Sequence, residues 1–287
     1  MAYATEQNLT ELVIERWSDT PDPRLRTIVT ALVKHVHALV REVEPTQDEF
    51  FAAVDFLART GKMCTDKRQE FILLADVLGV EMLVDAINNR LPSEATPTTI
   101  AGPFHVPNAP SLENGASMAR GAPGIACFLQ GTVRSTDGTP IAGAEIDVWQ
   151  TDGEGLYEGQ RGPEINGPWM RGLYRSQRDG SFTVRTVLPI GYTIPMDGPV
   201  GELVGHAGIS HMRPAHVHFA LSAPRHKHIV THLFQDGDRY LADDAVFAVK
   251  EPLIAQFRKQ PPGKAPTGEH IDASYYVMNF DFVLQPI

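Results

Sequence analysis

His216-Val217-His218 offers the first piece of chemistry in the chain. In a β-strand successive side chains leave opposite faces, so both imidazoles share one face while Val217 and Phe219 take the other. Two imidazoles aimed together suit a metal ion; a pair of histidines on a solvated strand is the plain alternative. Arg213 three residues ahead of His216, Pro214 between them, and two earlier tyrosines, Tyr157 and Tyr192, favour the metal. Two imidazoles alone do not complete a catalytic site, and the usual zinc partners are missing: there is no HExxH, no CxxC and no carboxylate at tight spacing to the pair. A phenol loses its proton at about pH 10 in water, but a trivalent ion lowers that value and a hard phenolate oxygen suits ferric iron. Tyr157 and Tyr192 both stand in glycine-flanked stretches, Gly153 to Gly159 and Pro189 to Pro195, that read as loops able to aim a side chain from the end of a rigid sheet.

The elements that must hold these residues follow from periodicity. From Asp22-Pro23, an N-cap and first-turn proline, Leu25, Ile28, Val29, Leu32, Val33, Val36, Leu39 and Val40 form one helical stripe. Thr46-Gln47-Asp48-Glu49 is a capping box ahead of a helix bearing Phe50, Val54 and Leu57. Asp66 opens a third helix carrying Phe71, Leu74 and Leu78, Gly79 ends it, and a short helix runs to Asn88. Residues from Leu91 to Gly124 are rich in Pro, Gly and Ala and read as an irregular connector. Beyond them the period becomes two: Ala144, Ile146 and Val148 alternate with Glu145, Asp147 and Trp149, and Asp137-Gly138 and Asp179-Gly180 supply turns. Phe182 and Val184, His216 to Leu221, Ile229 to Phe234 and Tyr275 to Leu284 continue the pattern. The expected fold class is α+β: a helical N-terminal domain over 1–98, then an antiparallel β-sandwich over 99–287.

Composition narrows the function. With 287 residues, 43% of them apolar and 21% charged, the chain is an ordinary globular protein, and its net charge of −10 leaves no basic face for nucleic acid. No apolar run approaches the ~20 residues of a membrane span. The first residues lack the basic start and apolar core of an export signal, and Cys64 and Cys127 lie in segments of different character. A cytoplasmic protein with no membrane or nucleic-acid partner is expected, its cysteines buried filler.

Taken together, the Gly102-Pro-Phe segment, the strand pair from Gly131 to Trp149, Gly155-Leu-Tyr157, Pro189-x-Gly-Tyr192, Arg213-Pro-Ala-His216-x-His218 and Ser222-Ala-Pro resemble the intradiol ring-cleaving dioxygenases, non-haem ferric enzymes that open catechols between their two hydroxyls. The resemblance runs from Thr96 to about Pro252, and its helical N-terminal segment is similar to the catechol-type branch, where such helices form a homodimer and enclose a phospholipid. It implies one Fe(III) per subunit held by Tyr157, Tyr192, His216 and His218, with an aromatic diol or triol and O2 as substrates. Tyr157 and His216 would be equatorial ligands, Tyr192 and His218 axial. Tyr192 and a hydroxide would accept the two phenolic protons, and Arg213 would lie over the ring and stabilise its developing negative charge.

Within the family, His232 where catechol enzymes carry Gln, the run from Asp244 to Lys250, and Leu73-Leu-Ala-Asp76 resemble the hydroxyquinol branch. A carboxylate at Asp76 would accept the extra hydroxyl's hydrogen bond and reject an analogue lacking it. Leu73, Ile100, Ala101, Gly102, Phe104, Ile194, Pro195 and Val246 would complete the wall, with Ala101 smaller than expected there. The expected activity is cleavage of hydroxyquinol to maleylacetate, or 3-hydroxy-cis,cis-muconate; the alternatives are a catechol 1,2-dioxygenase, a zinc hydrolase using the two histidines, and a non-catalytic sandwich. Tyr174, Tyr240, Tyr275 and Tyr276 read as packing or surface residues, His226 and His228 as a solvated turn, and His206 and His211 as loop residues. His232 reads as a group that orients a ligand or as a satisfied core residue.

Overall fold

The computed structural model describes residues 3–65, 68–161 and 167–287 and divides into two compact units, Met1–Arg59 and Thr60–Ile287. Three helices account for the first unit: α1 (Leu9–Trp17), α2 (Pro23–Val43) and α3 (Gln47–Met63), whose last residues pass into the second. Asp22 caps α2 by accepting the N–H groups of Arg24 and Leu25, and Thr46 and Glu49 exchange the two bonds of the expected capping box, at 2.8 and 3.3 Å. The sequence reading did not anticipate α1, which is pinned to α2 through Thr10, bonded to both His37 and Arg41. Most of the stripe on α2 stays exposed, from Val36 at 45% to Leu32 at 58%, while Val29 and Val33 are half-buried.

The second unit opens with α4 (Glu70–Val77) and α5 (Val80–Asn88). Asp66, the expected first residue of that helix, lies outside the described residues. Gly79 turns the corner between the two helices at φ +68°, a left-handed conformation that glycine adopts without strain. Fourteen strands follow among the described residues: β1 (Ala126–Ser135), β2 (Glu145–Trp149), β3 (Arg171–Arg175), β4 (Ser181–Val187), β5 (Tyr192–Thr193), β6 (Met212–Arg213), β7 (His216–Ser222), β8 (Ile229–Gln235), β9 (Ile254–Ala255), β10 (Phe257–Gln260), β11 (Gly263–Lys264), β12 (His270–Ile271), β13 (Tyr275–Asn279) and β14 (Phe282–Leu284). One large sheet has the order β3-β2-β7-β8-β9; the other has β10-β13-β1-β14, with β4 also on β1.

The sheets are mixed rather than antiparallel, which corrects the expectation. β1 runs parallel to both β13 and β14, and β8 parallel to β9. A two-residue period assigns faces but carries no information on partner direction. A second correction concerns His206, which stands on a helix, α6 (Pro199–Ala207), started by a first-turn proline.

Alternation on β7 explains how a core strand comes to carry polar groups. Val217, Phe219 and Leu221 are fully buried on one face, where Phe219 meets Phe282 at 4.9 Å between ring centres and Phe282 meets Phe182 at 5.7 Å, joining the two sheets. Burying an aromatic of this kind contributes about 1.5–3 kcal/mol. His216 and His218 therefore take the opposite face, where they are only 2% exposed because loops and short strands cover them.

Candidate metal centre

Each donor is held by a different part of the scaffold. His216 donates from Nδ1 to the Pro214 carbonyl at 2.7 Å; that bond fixes the tautomer and leaves the Nε2 lone pair pointing inward. His218 lies opposite Trp149 in register and stacks on its indole at 4.7 Å and 14°. Tyr192 occupies a two-residue strand rather than a loop, its rung shared with Arg213 of β6. Tyr157 closes a tight loop: Asp152, fully buried, accepts the Glu154 and Leu156 N–H groups and pairs with Arg161, while Gln160 accepts the Tyr157 N–H at 2.9 Å. Gly155 at φ +82° makes that turn possible, and a Cβ there would lie 3.2 Å from Tyr192 Cβ.

These elements bring four donor atoms together. Tyr157 Oη lies 2.8 Å from His218 Nε2, 3.0 Å from Tyr192 Oη and 3.5 Å from His216 Nε2. Tyr192 Oη is 3.5 Å, and His218 Nε2 3.2 Å, from His216 Nε2. Donors about 2.0–2.1 Å from one first-row ion are separated by such edges, so the set fits a metal. Two phenols with two imidazoles form a hard set, suited to a trivalent ion.

Electrostatics keeps the imidazoles available. Burial, then the Arg213 charge, holds His216 well below the usual histidine range, and burial with His216 and Arg213 does the same for His218. Both are neutral donors at physiological pH. Burial and the neighbouring Tyr192 lift Tyr157 well above the ordinary phenol value; burial raises Tyr192 while Arg213 opposes it. A cation at the centre would reverse both phenol shifts.

Arg213 is 5% exposed and held by Asp244, Nε to Oδ1 at 3.1 Å and Nη2 to Oδ2 at 3.5 Å. Burial disfavours its charge, but Asp244 and the two phenols outweigh that and hold it protonated. Its Nη1 donates to His216 Nε2 at 3.2 Å, the lone pair a metal would take.

A pocket opens onto the centre, lined by Leu73, Asp76, Ile100, Gly102, Phe104, Ile194, Pro195, Arg213 and Val246 as the sequence reading expects, and by Pro103. Of the four donors only Tyr192 and His218 line it. Tyr157 is stacked behind Phe104 at 4.4 Å. Ala101 is the exception among the wall residues: it lines a separate cavity with His105, Asp147 and Trp149, because Gly102 at φ +70° turns the backbone between them.

Sequence reasoning missed two residues. Asp244 was noted only as part of a run, yet it holds Arg213; a lone acidic residue 31 positions away gives no local signal. Trp149 read as one member of an alternating strand, and only the pairing of β2 with β7 places it on His218. His232, opposite His218 with ring centres 4.1 Å apart, is fully buried, and both its nitrogens lack a hydrogen-bond partner among the described residues, so it is neither a satisfied core residue nor bonded to a donor of the set. It forms with His216 and His218 a cluster whose ring nitrogens lie within 4.8 Å of one another. His228 is exposed, as expected for a turn.

Comparison with known proteins agrees with this arrangement. Residues 22–96 match the family model described as catechol dioxygenase N terminus, and residues 100–286 the one described as dioxygenase. The chain is 45% identical over 282 residues to 6-chlorohydroxyquinol 1,2-dioxygenase of Cupriavidus pinatubonensis, covering 98% of each, and 41% identical to hydroxyquinol 1,2-dioxygenase of Nocardioides simplex, covering 99% of this chain and 96% of that one. Among solved structures, hydroxyquinol 1,2-dioxygenase from Pseudomonas putida DLL-E4 superposes with a TM-score of 0.92 at 41% identity, covering 98% of this chain and 99% of the other.

Proposed function

We infer that this chain, which belongs to the intradiol ring-cleavage dioxygenases, cleaves hydroxyquinol with O2 to 3-hydroxy-cis,cis-muconate, the enol of maleylacetate. The observation that carries the reading is a buried carboxyl, Asp76, on the wall of the cavity that Tyr192 and His218 of the four-donor set also line. A catechol has nothing to offer Asp76; a third hydroxyl does. The names of the relatives above favour the same substrate. Catechol 1,2-dioxygenase activity is the second reading, favoured by the match of residues 22–96.

The metal is Fe(III), one per subunit, with Tyr157, Tyr192, His216 and His218 to hold it. When bound there, ferric iron supplies Lewis acidity to a chelated diol and a template on which O2 meets the ring. Tyr192 Oη, at the cavity edge, takes a phenolic proton as substrate enters. Tyr157, behind Phe104, stays in place. Arg213 stabilises negative charge spreading over the ring, and Asp244 fixes its guanidinium. Leu73, Ile100, Phe104, Ile194, Pro195 and Val246 supply an apolar wall that excludes water from the reacting carbons.

Residues 1–98 serve as a helical dimerisation and linker domain and 99–287 as the catalytic domain. The exposed apolar stripe on α2 supports a homodimer through these helices, with a phospholipid enclosed by them. No helix among the described residues is long and apolar enough to cross a membrane, and Cys64 and Cys127 are free thiols, in keeping with a reducing cytoplasm. The test is a visible spectrum of the purified protein with oxygen uptake on hydroxyquinol and on catechol. Tyrosinate-to-iron charge transfer and a large hydroxyquinol preference are expected; a colourless protein, or a preference for catechol, refutes the reading.

A further inference from the structure

Asp76 and Glu81 flank the corner between α4 and α5. The turn at Gly79, whose N–H is bonded to the Asp76 carbonyl at 2.9 Å, returns the second residue of α5 to the last turn of α4, and the Glu81 carboxyl acts on that of Asp76 from there. Each carboxyl has one buried oxygen, Asp76 Oδ1 and Glu81 Oε2, that receives no N–H or O–H from any of the described residues. Ionised carboxylates offer only acceptors, so two of them cannot satisfy each other, and two like charges in a dry corner cannot both persist. The missing donor is a proton.

We propose that Asp76 and Glu81 share one proton, and that this acid pair, rather than a lone carboxylate, meets the third hydroxyl of the substrate. The identity of that hydroxyl rests on the function proposed above; the shared proton does not. Three charged groups act on Asp76: Glu81 from α5, Arg213 from β6 and Asp244 from the segment after β8. Arg213 is already paired with Asp244, so it does not neutralise the pair. Burial first, then Glu81, pushes the Asp76 carboxyl up to about 9, Arg213 opposing and Asp244 adding. With the proton between the two groups, the second oxygen of Asp76 remains an acceptor for an entering hydroxyl. No full negative charge then stands against a ring that binds as an oxyanion. Glu81, which does not line the cavity, becomes a specificity-determining residue acting through Asp76.

The experiment is infrared difference spectroscopy of the iron-loaded protein, wild type against Glu81→Gln and Asp76→Asn, with steady-state kinetics on the same samples. A protonated-carboxyl C=O band is expected in the wild type at pH 7, lost as the pH is raised past about 9. Glu81→Gln and Asp76→Asn should each remove it, and Glu81→Asp should restore it. Glu81→Gln, which removes the partner carboxyl and offers Asp76 an amide N–H that favours its ionised form against burial, should raise KM for hydroxyquinol about tenfold while kcat moves less than twofold, and leave the iron charge-transfer band in place. No acid band at pH 7, or one that survives Glu81→Gln, overturns the shared proton. Loss of the band with KM unchanged overturns its part in recognition. A wild type that prefers catechol overturns the substrate reading, and the recognition with it, while the band still reports on the pair.

Discussion

Replacing Asp244 by Asn is the most direct probe of how the cavity holds its one buried cation. The side chains of Arg213 and Asp244 are 6% and 3% exposed, and their two contacts measure 3.1 and 3.5 Å. Asp244 also accepts the Ala248 N–H at 3.0 Å, so its carboxylate is fixed by backbone as well as by charge. Asparagine keeps the shape and one acceptor but turns an NH2 group toward the guanidinium and removes the only carboxylate bonded to it among the described residues. Breaking a buried pair from one side costs about 3–5 kcal/mol of stability. With a metal bound as proposed, Tyr157 and Tyr192 as tyrosinates would take over part of the pairing, which places the expected loss at the lower end. For turnover, the relevant quantity is the charge-assisted bond that aims Arg213, about 1.5–3 kcal/mol. At 1.36 kcal/mol per decade, kcat/KM should fall about 10- to 150-fold. Oxygen consumption gives the rate, the visible charge-transfer band verifies that iron is retained, and thermal unfolding gives the stability. A variant with intact colour, kcat/KM within threefold of wild type and an unchanged melting temperature would show that Arg213 needs no partner to hold its place.

Two further outcomes follow from the same geometry. Burial depresses His216, His218 and His232 far below their ordinary value of 6.5, so the unfolded chain binds more protons than the folded one once the pH drops beneath that value. The stability they contribute is present above about pH 6.5 and lost as pH falls; metal-free protein should melt progressively earlier from pH 7 to 5, and His232→Gln should flatten that slope, whereas a slope insensitive to His232 counts against the assignment. Gly155→Ala forces an L-residue into φ +82° with its Cβ 3.2 Å from Tyr192, at about 1–2 kcal/mol for the backbone alone. Its melting temperature should fall and its tyrosinate band shift; an unmoved band shows that the loop does not aim the phenols.

Much of the site could be read from residue order, because its parts obey local rules. The HxH alternation on β7 predicted a shared face, and His216 and His218 do share it, 3.2 Å apart. Asp22 and the Thr46–Glu49 box act as caps because capping needs only neighbours three residues apart. What could not be read depends on pairing at a distance. The parallel contacts of β1, the Trp149 stack and the Asp244 partner are set by which strands meet, and periodicity does not encode that. The segment from Gly198 to Gly208 hid α6 because its glycines weaken a helical pattern that tertiary packing of Val200 and Val204 restores.

β1 is paired with β13 along Cys127–Gln130 and with β14 along Val133–Ser135, and Thr132 donates its N–H and its hydroxyl to the Asp281 carboxylate, 149 positions later. Those last strands also deliver Phe282, the wedge beneath Phe219 on the far side of the histidine strand. The four-donor pocket thus has its foundation laid by strands far downstream of β1. Until the chain reaches Leu284, β1 is an open flank inviting stray partners, and β7 lacks the floor that keeps its imidazoles level.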